Sequence, residues 1–130
     1  MLIDTSALLS YLHRDEATHL DAVSLFHGAP RRVIHSYVMA EFVALATARG
    51  PPRQRTLAFV ADLMDSAAID LVWVGEPVHR AALALLRRRL DKTYSLCDAV
   101  SFVVMWDRGI ADALTTDRHF TQEGFVALLG

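Results

Sequence analysis

Apolar and polar positions along the chain alternate between two kinds of segment. "MLI" at the start is wholly apolar and stops at Asp4. It is followed by "TSALLSYLH", where Leu8, Tyr11 and Leu12 share one stripe at helical spacing, so a buried strand passes straight into a helix. A second helix is predicted over Ala17 to Phe26, with Leu20, Val23 and Phe26 on one face and "HGAP" as its stop. "RRVIHS" reads as a second strand, Ser36 as the N-cap of a helix through "YVMAEFVALATA", and "RGPP" as its end. From Arg53 to Ala68, Leu57, Val60, Ala61, Met64 and Ala68 recur at helical spacing. "IDLVWV" is a third strand, and "GEPVHRAALALLRRRL" a helix opened by Pro77. Ala113 to Thr115 form a fourth strand ending just before Asp117, and "GFVALL" is either a last edge strand or a closing turn. Short apolar strands alternating with helices predict a parallel sheet with both faces covered.

One segment breaks the pattern. "TYSLCDAVSFVVMW", Thr93 to Trp106, is almost entirely apolar or small, yet carries the single charge Asp98. A buried carboxylate without partners costs several kcal/mol or takes up a proton. Ser95 and Asp98 have the spacing of a capping box, which is one explanation. Glu41 admits less choice, since it is the only charge between Tyr37 and Ala48. Asp4 follows the first strand and Asp117 the fourth, at the carboxyl edge where open α/β sheets bind ligands, although Asp is also a common N-cap. Asp4, Glu41, Asp98 and Asp117 can therefore converge from distant parts of the chain. Four clustered carboxylates repel one another, and their ionised form persists with a cation among them; all-oxygen ligation suits Mg2+ or Mn2+.

The remaining composition bounds this picture. At 130 residues the chain fits one domain over 1–130, with no linker or repeat, and it can bury enough surface to fold without a metal or disulfide staple. The longest apolar run, Ala81 to Leu86, is far too short to cross a bilayer, and "MLIDTS" has no basic flank or signal core, so a cytoplasmic protein is expected. Cys97 is the only cysteine, which excludes an internal disulfide and a cysteine zinc cage. The net charge of −2 announces no nucleic-acid binder, though twelve of the thirteen basic residues are Arg, the better planar ligand for phosphate. Six histidines show no HxxxH ligand spacing, and none is assigned to metal.

"LIDTSALL", "AEF", "YSLCDAVSF" and "ALTTDRHF" resemble, in order and spacing, the acidic motifs of PIN-domain ribonucleases, most closely the VapC toxins of toxin–antitoxin pairs. The resemblance runs from Asp4 to Phe125. It implies a three-layer α/β/α fold with a central four- to five-stranded parallel sheet, and a metal-dependent endoribonuclease using Mg2+ or Mn2+. Carried over by position, it makes Asp4, Glu41, Asp98 and Asp117 the acidic cluster, Asp4 and Asp98 the principal metal ligands, and Ser6 and Thr116 the small hydroxyl positions near the pocket. Arg118 is the nearest candidate for holding the RNA backbone. Arg87, Arg88 and Arg89 are either a second such patch or a solvated helix end complementing the helix dipole. The resemblance also implies a homodimer, with helix faces such as Val38/Phe42/Leu45 or Leu57/Val60/Met64 as possible linings, and a cognate VapB-like antitoxin. Two rivals compete: a PIN-like module that binds RNA or protein without cutting, and a phosphoryl-transfer enzyme with Asp4 as nucleophile. The second lacks its usual partner acid, because Ser6 stands two residues on.

Overall fold

The computed structural model describes all 130 residues. Five strands, β1 (Leu2–Ile3), β2 (Arg32–His35), β3 (Ile69–Val72), β4 (Asp112–Leu114) and β5 (Val126–Ala127), form one sheet in the order β3-β2-β1-β4-β5. Every neighbouring pair is parallel. "GFVALL" therefore contains an edge strand, and the upper end of the expected strand count is met.

Helices α1 (Thr5–Leu12), α2 (His19–Gly28), α3 (Ser36–Arg49) and α4 (Arg53–Asp65) cover one face of the sheet. The opposite face carries α5 (Glu76–Arg88), α6 (Leu96–Arg108) and the short α7 (His119–Gln122). Strand pleating explains the division. Leu2 lies in register with Val33 and Ala113, and all three point to the α5–α6 side, whereas Ile3, Ile34 and Leu114 point to the α1–α4 side. No helix is long and apolar enough to cross a membrane.

Helix α6 is buried continuously from Cys97 to Met105, and this accounts for its composition. A helix surrounded by sheet and neighbouring helices has no solvent face to mark with charge. It ends at Gly109, whose φ of 64° is the left-handed cap expected of glycine, and whose N–H donates to the carbonyls of Met105 and Trp106.

The N-cap of α3 corrects the sequence reading. Ser36 is already the first helical residue, and its hydroxyl accepts from the N–H of Val74 at 2.9 Å. His35 is the cap instead, its Nδ1 accepting from the N–H of Val38 at 3.2 Å. An accepting Nδ1 leaves the ring proton on Nε2, which donates to Ser101 Oγ at 2.8 Å. His35 thus ties β2 and α3 to the buried helix α6. Its burial is complete and pushes its pKa down to about 4, so the ring stays neutral. Val38 and Phe42 are fully buried in the core, so Leu45 is the exposed member of that stripe of α3; Leu57 and Met64 on α4 are also exposed.

Candidate active site

Strand β1 ends by presenting Asp4 in the crevice between β1 and β4, where the chain's strand order reverses. Asp4 occupies the N-cap position of α1, but only its backbone serves the helix: its carbonyl accepts from the N–H groups of Ala7 and Leu8 at 3.1 and 3.2 Å. The carboxylate makes no capping bond. It is 5% exposed, and the hydroxyls of Thr115 and Ser6 both donate to Oδ2, at 2.7 and 3.0 Å. Oδ1 is left without a side-chain donor. Burial, reinforced by the charge of Asp98, raises the Asp4 pKa to about 6 against the pull of the Thr115 hydroxyl.

Asp98 is a cap that still keeps one carboxylate oxygen spare. A capping box is present, with the N–H of Asp98 donating to Ser95 Oγ and the N–H of Ser95 donating to Asp98 Oδ2, each at 3.0 Å. His119 Nδ1 donates to that same Oδ2 at 3.0 Å. One oxygen is consumed by structure and Oδ1 is free. Burial raises the Asp98 pKa, opposed by the Ser95 N–H and His119.

Asp117 lies on the turn after β4. Its N–H donates to Thr115 Oγ1 and its Oδ1 accepts from the N–H of His119, both at 2.9 Å. Donor atoms of Asp98, Asp117 and His119 lie within 4.8 Å of one another. Glu41, on the second turn of α3, is half-buried and forms neither ion pair nor hydrogen bond. Cys97 reports that it shares the pocket: burial, then the charges of Glu41, Asp4 and Asp98, push that buried thiol's pKa up. Of the four acids predicted from sequence, Asp4, Asp98 and Asp117 are therefore coupled directly through their charges, and Glu41 joins them through the charge it shares with Asp4 and Asp98 at Cys97.

The other predicted positions divide. Ser6 touches Asp4 and accepts from the N–H of Thr116 at 3.0 Å. Thr116 is exposed and offers that backbone group rather than its hydroxyl; the side chain holding Asp4 belongs to its buried neighbour Thr115. Arg118 is exposed at the rim without a partner. Arg87 and Arg88 end α5 in solvent, but Arg89 does not: it grips the buried Glu123 with Nη2 at 2.9 Å and Nε at 3.2 Å. Glu123 also accepts from Tyr94 OH at 2.8 Å, and the Tyr94 ring packs edge-on against His119. Sequence reading missed Thr115, the Tyr94–Glu123–Arg89 network, and the bond from His119 to Asp98. Adjacent hydroxyls in "TTD" were the only signal for the first, and which one turns back toward β1 is settled by the local backbone.

As a donor set the crevice offers carboxylate oxygens, two of them, Oδ1 of Asp4 and of Asp98, without side-chain donors and beside carboxyls whose mutual repulsion and burial disfavour ionisation. Such a set fits a hard divalent cation. Residues 1–125 match the family profile described as PIN domain. The chain belongs to the PIN-domain family. This PIN domain is 30% identical over 127 residues to the 23S rRNA-specific endonuclease VapC20 of Mycobacterium tuberculosis, in strains CDC 1551 / Oshkosh and ATCC 25618 / H37Rv, spanning 97% of this chain and 95% of that protein. The crystal structure of Mycobacterium tuberculosis VapC20, described as a sarcin-ricin loop cleaving toxin, superposes on this PIN domain with a TM-score of 0.91 at 27% identity, over 99% of this chain and 98% of that one. The PIN fold and the endoribonuclease toxin reading drawn from the motifs agree with these relatives.

Proposed function

We propose that the chain is a divalent-metal-dependent endoribonuclease of the VapC type that hydrolyses RNA phosphodiester bonds, with ribosomal RNA as the first substrate to test. The observation that carries the reading is the convergence of Asp4, Asp98 and Asp117 at the strand-order reversal, each anchored on one oxygen. Asp4 and Asp98 would hold the cation through Oδ1, with Glu41 and Asp117 completing the oxygen set directly or through water. When bound, Mg2+ or Mn2+ supplies positive charge for the phosphate oxygens and lowers the pKa of a bound water. The chain's contribution is rigidity: Thr115 and Ser6 fix the Asp4 carboxylate, while the capping box and His119 fix that of Asp98. Fixed dipoles and charges need no reorganisation as charge develops on the phosphate. Arg118, exposed and unpaired one residue after Asp117, would meet an RNA phosphate. Action on RNA in the cytoplasm, a homodimer and silencing by a VapB-like antitoxin complete the proposal.

The test is incubation of ribosomes and total RNA with the purified chain, freed of any antitoxin, in Mg2+, Mn2+ or EDTA, beside Asp98→Asn. Discrete metal-dependent fragments, lost in the folded variant, are expected. Absence of cleavage with either metal would favour a binding module over a nuclease.

A further inference from the structure

The α1–α4 side of the molecule carries a second charged feature that the acidic crevice does not use. Arg14, Arg49 and Arg55 line an open pocket of about 430 Å³ together with His13, Asp15 and Gly50. Arg14 and Arg55 have no side-chain partner in the chain, whereas Arg31, Arg80, Arg89 and Arg108 are each paired with a carboxylate. Arg49 is loosely paired, 3.7 Å from Glu16. Asp15 faces three guanidinium groups, so the pocket keeps a surplus of positive charge. His13, in the same wall, carries an Nε2 that no group of the chain satisfies.

Arg49 also lines an adjoining depression of about 240 Å³ whose other walls include Ser6, Ser10, Thr18 and Thr116, and Glu16, the loose partner of Arg49. Ser6 is the residue whose hydroxyl donates to Asp4. Hydroxyl-bearing residues, with Glu16 among them, therefore lie between the acids and the arginines along α1, whose Asp4 and His13 ends lie roughly 13 Å apart on a rise of 1.5 Å per residue. Hydroxyls followed by guanidiniums are the groups that bind sugar and phosphate rather than bases.

We propose that the Arg14/Arg49/Arg55 pocket is a phosphate subsite that takes an RNA backbone phosphate a few nucleotides from the scissile bond. This rests on the endoribonuclease reading for its catalytic consequence, and on the pocket alone for RNA binding. The subsite gives the acidic crevice a positive foothold, so that a strand repelled by uncompensated carboxylates is held from one side. Readout there is independent of sequence.

The experiment compares the wild-type chain with Arg14→Gln/Arg55→Gln, and with Arg80→Gln on the far face as a charge control. Binding of a labelled single-stranded oligoribonucleotide is measured by anisotropy in Ca2+ across a salt series, and cleavage of the same RNA in Mn2+ is followed separately. The double variant is expected to weaken binding by about tenfold or more, with a salt slope lower by about one to two. Its KM should rise in proportion while kcat stays within about twofold, and Arg80→Gln should leave both unchanged. Equal affinity and equal salt slope for wild type and double variant would overturn the proposal. So would an unchanged RNA affinity accompanied by lost binding to polyglutamate, which would assign the pocket to an acidic protein segment. If the wild type binds RNA through the pocket but cuts nothing, the nuclease reading fails and the subsite stands.

Discussion

Replacing Thr115 by valine keeps a β-branched shape while removing the hydroxyl that donates to Asp4 and accepts from the N–H of Asp117. Loss of such an anchoring bond costs about 10- to 100-fold in metal affinity or activity, and that range is expected for Thr115→Val. Thr116→Val, one position on and exposed, is expected to stay within about threefold, and isothermal titration with Mn2+ beside a cleavage assay separates the two. Asp4 makes the second prediction at this scale. Its carboxyl has a pKa raised to about 6, so protons compete with metal below that pH. Metal affinity at pH 5 is expected to be about tenfold weaker than at pH 7. The four acids were legible because each is a charge in an apolar or strand-end setting. Thr115 was not, because two neighbouring hydroxyls are equivalent in sequence and differ only once β4 has paired with β1.

Helix α6 is where one sequence signal carried two meanings. Its capping-box spacing was read as an alternative to a functional Asp98, but the box and His119 both use Oδ2 and leave Oδ1 free, so the two readings do not exclude each other. A string of letters does not distinguish the oxygens of a carboxylate. The link between α6 and β2 was equally silent, since nothing in "RRVIHS" announces that His35 will cap α3 and reach Ser101. Both residues are fully buried, so Ser101→Ala leaves the Nε2–H of His35 without an acceptor. A loss of about 1–3 kcal/mol is expected, read from the urea midpoint, with the fold retained. The strands and most helices were legible from periodicity. Their ends were less so: α4 stops at Asp65 and α2 begins at His19, because apolar spacing marks a buried face and says little about where hydrogen bonding ceases.

Across the whole molecule two buried groups titrate in opposite directions over one pH window. His35 is neutral when folded, with a pKa near 4, so between about 6.5 and 4 the unfolded chain binds more protons and acid destabilises the fold. Asp4 has its pKa raised to about 6, so between about 6 and 4 the native state binds more protons and acid stabilises it. Each effect is about 3 kcal/mol, and without metal they nearly cancel. Asp4→Asn removes one of them. That variant is expected to be inactive, to be more stable than wild type at pH 7 in EDTA by up to about 3 kcal/mol, and to lose that advantage on acidification to pH 4. Denaturant titrations of both proteins at the two pH values check the sign, and equal slopes against pH would contradict it.

The placement of β1 has a further consequence, in time rather than in space. Of the five strands, the one made first sits at the centre of the sheet, and its partner β4 is made fourth; the bond between Thr115 and Asp4 spans 111 residues. A nascent chain carries Asp4 and Glu41 early but has no Asp117 and no Thr115 to fix Asp4. A site assembled in this way stays without the Thr115 anchor of Asp4 until β4 has been made and has paired with β1.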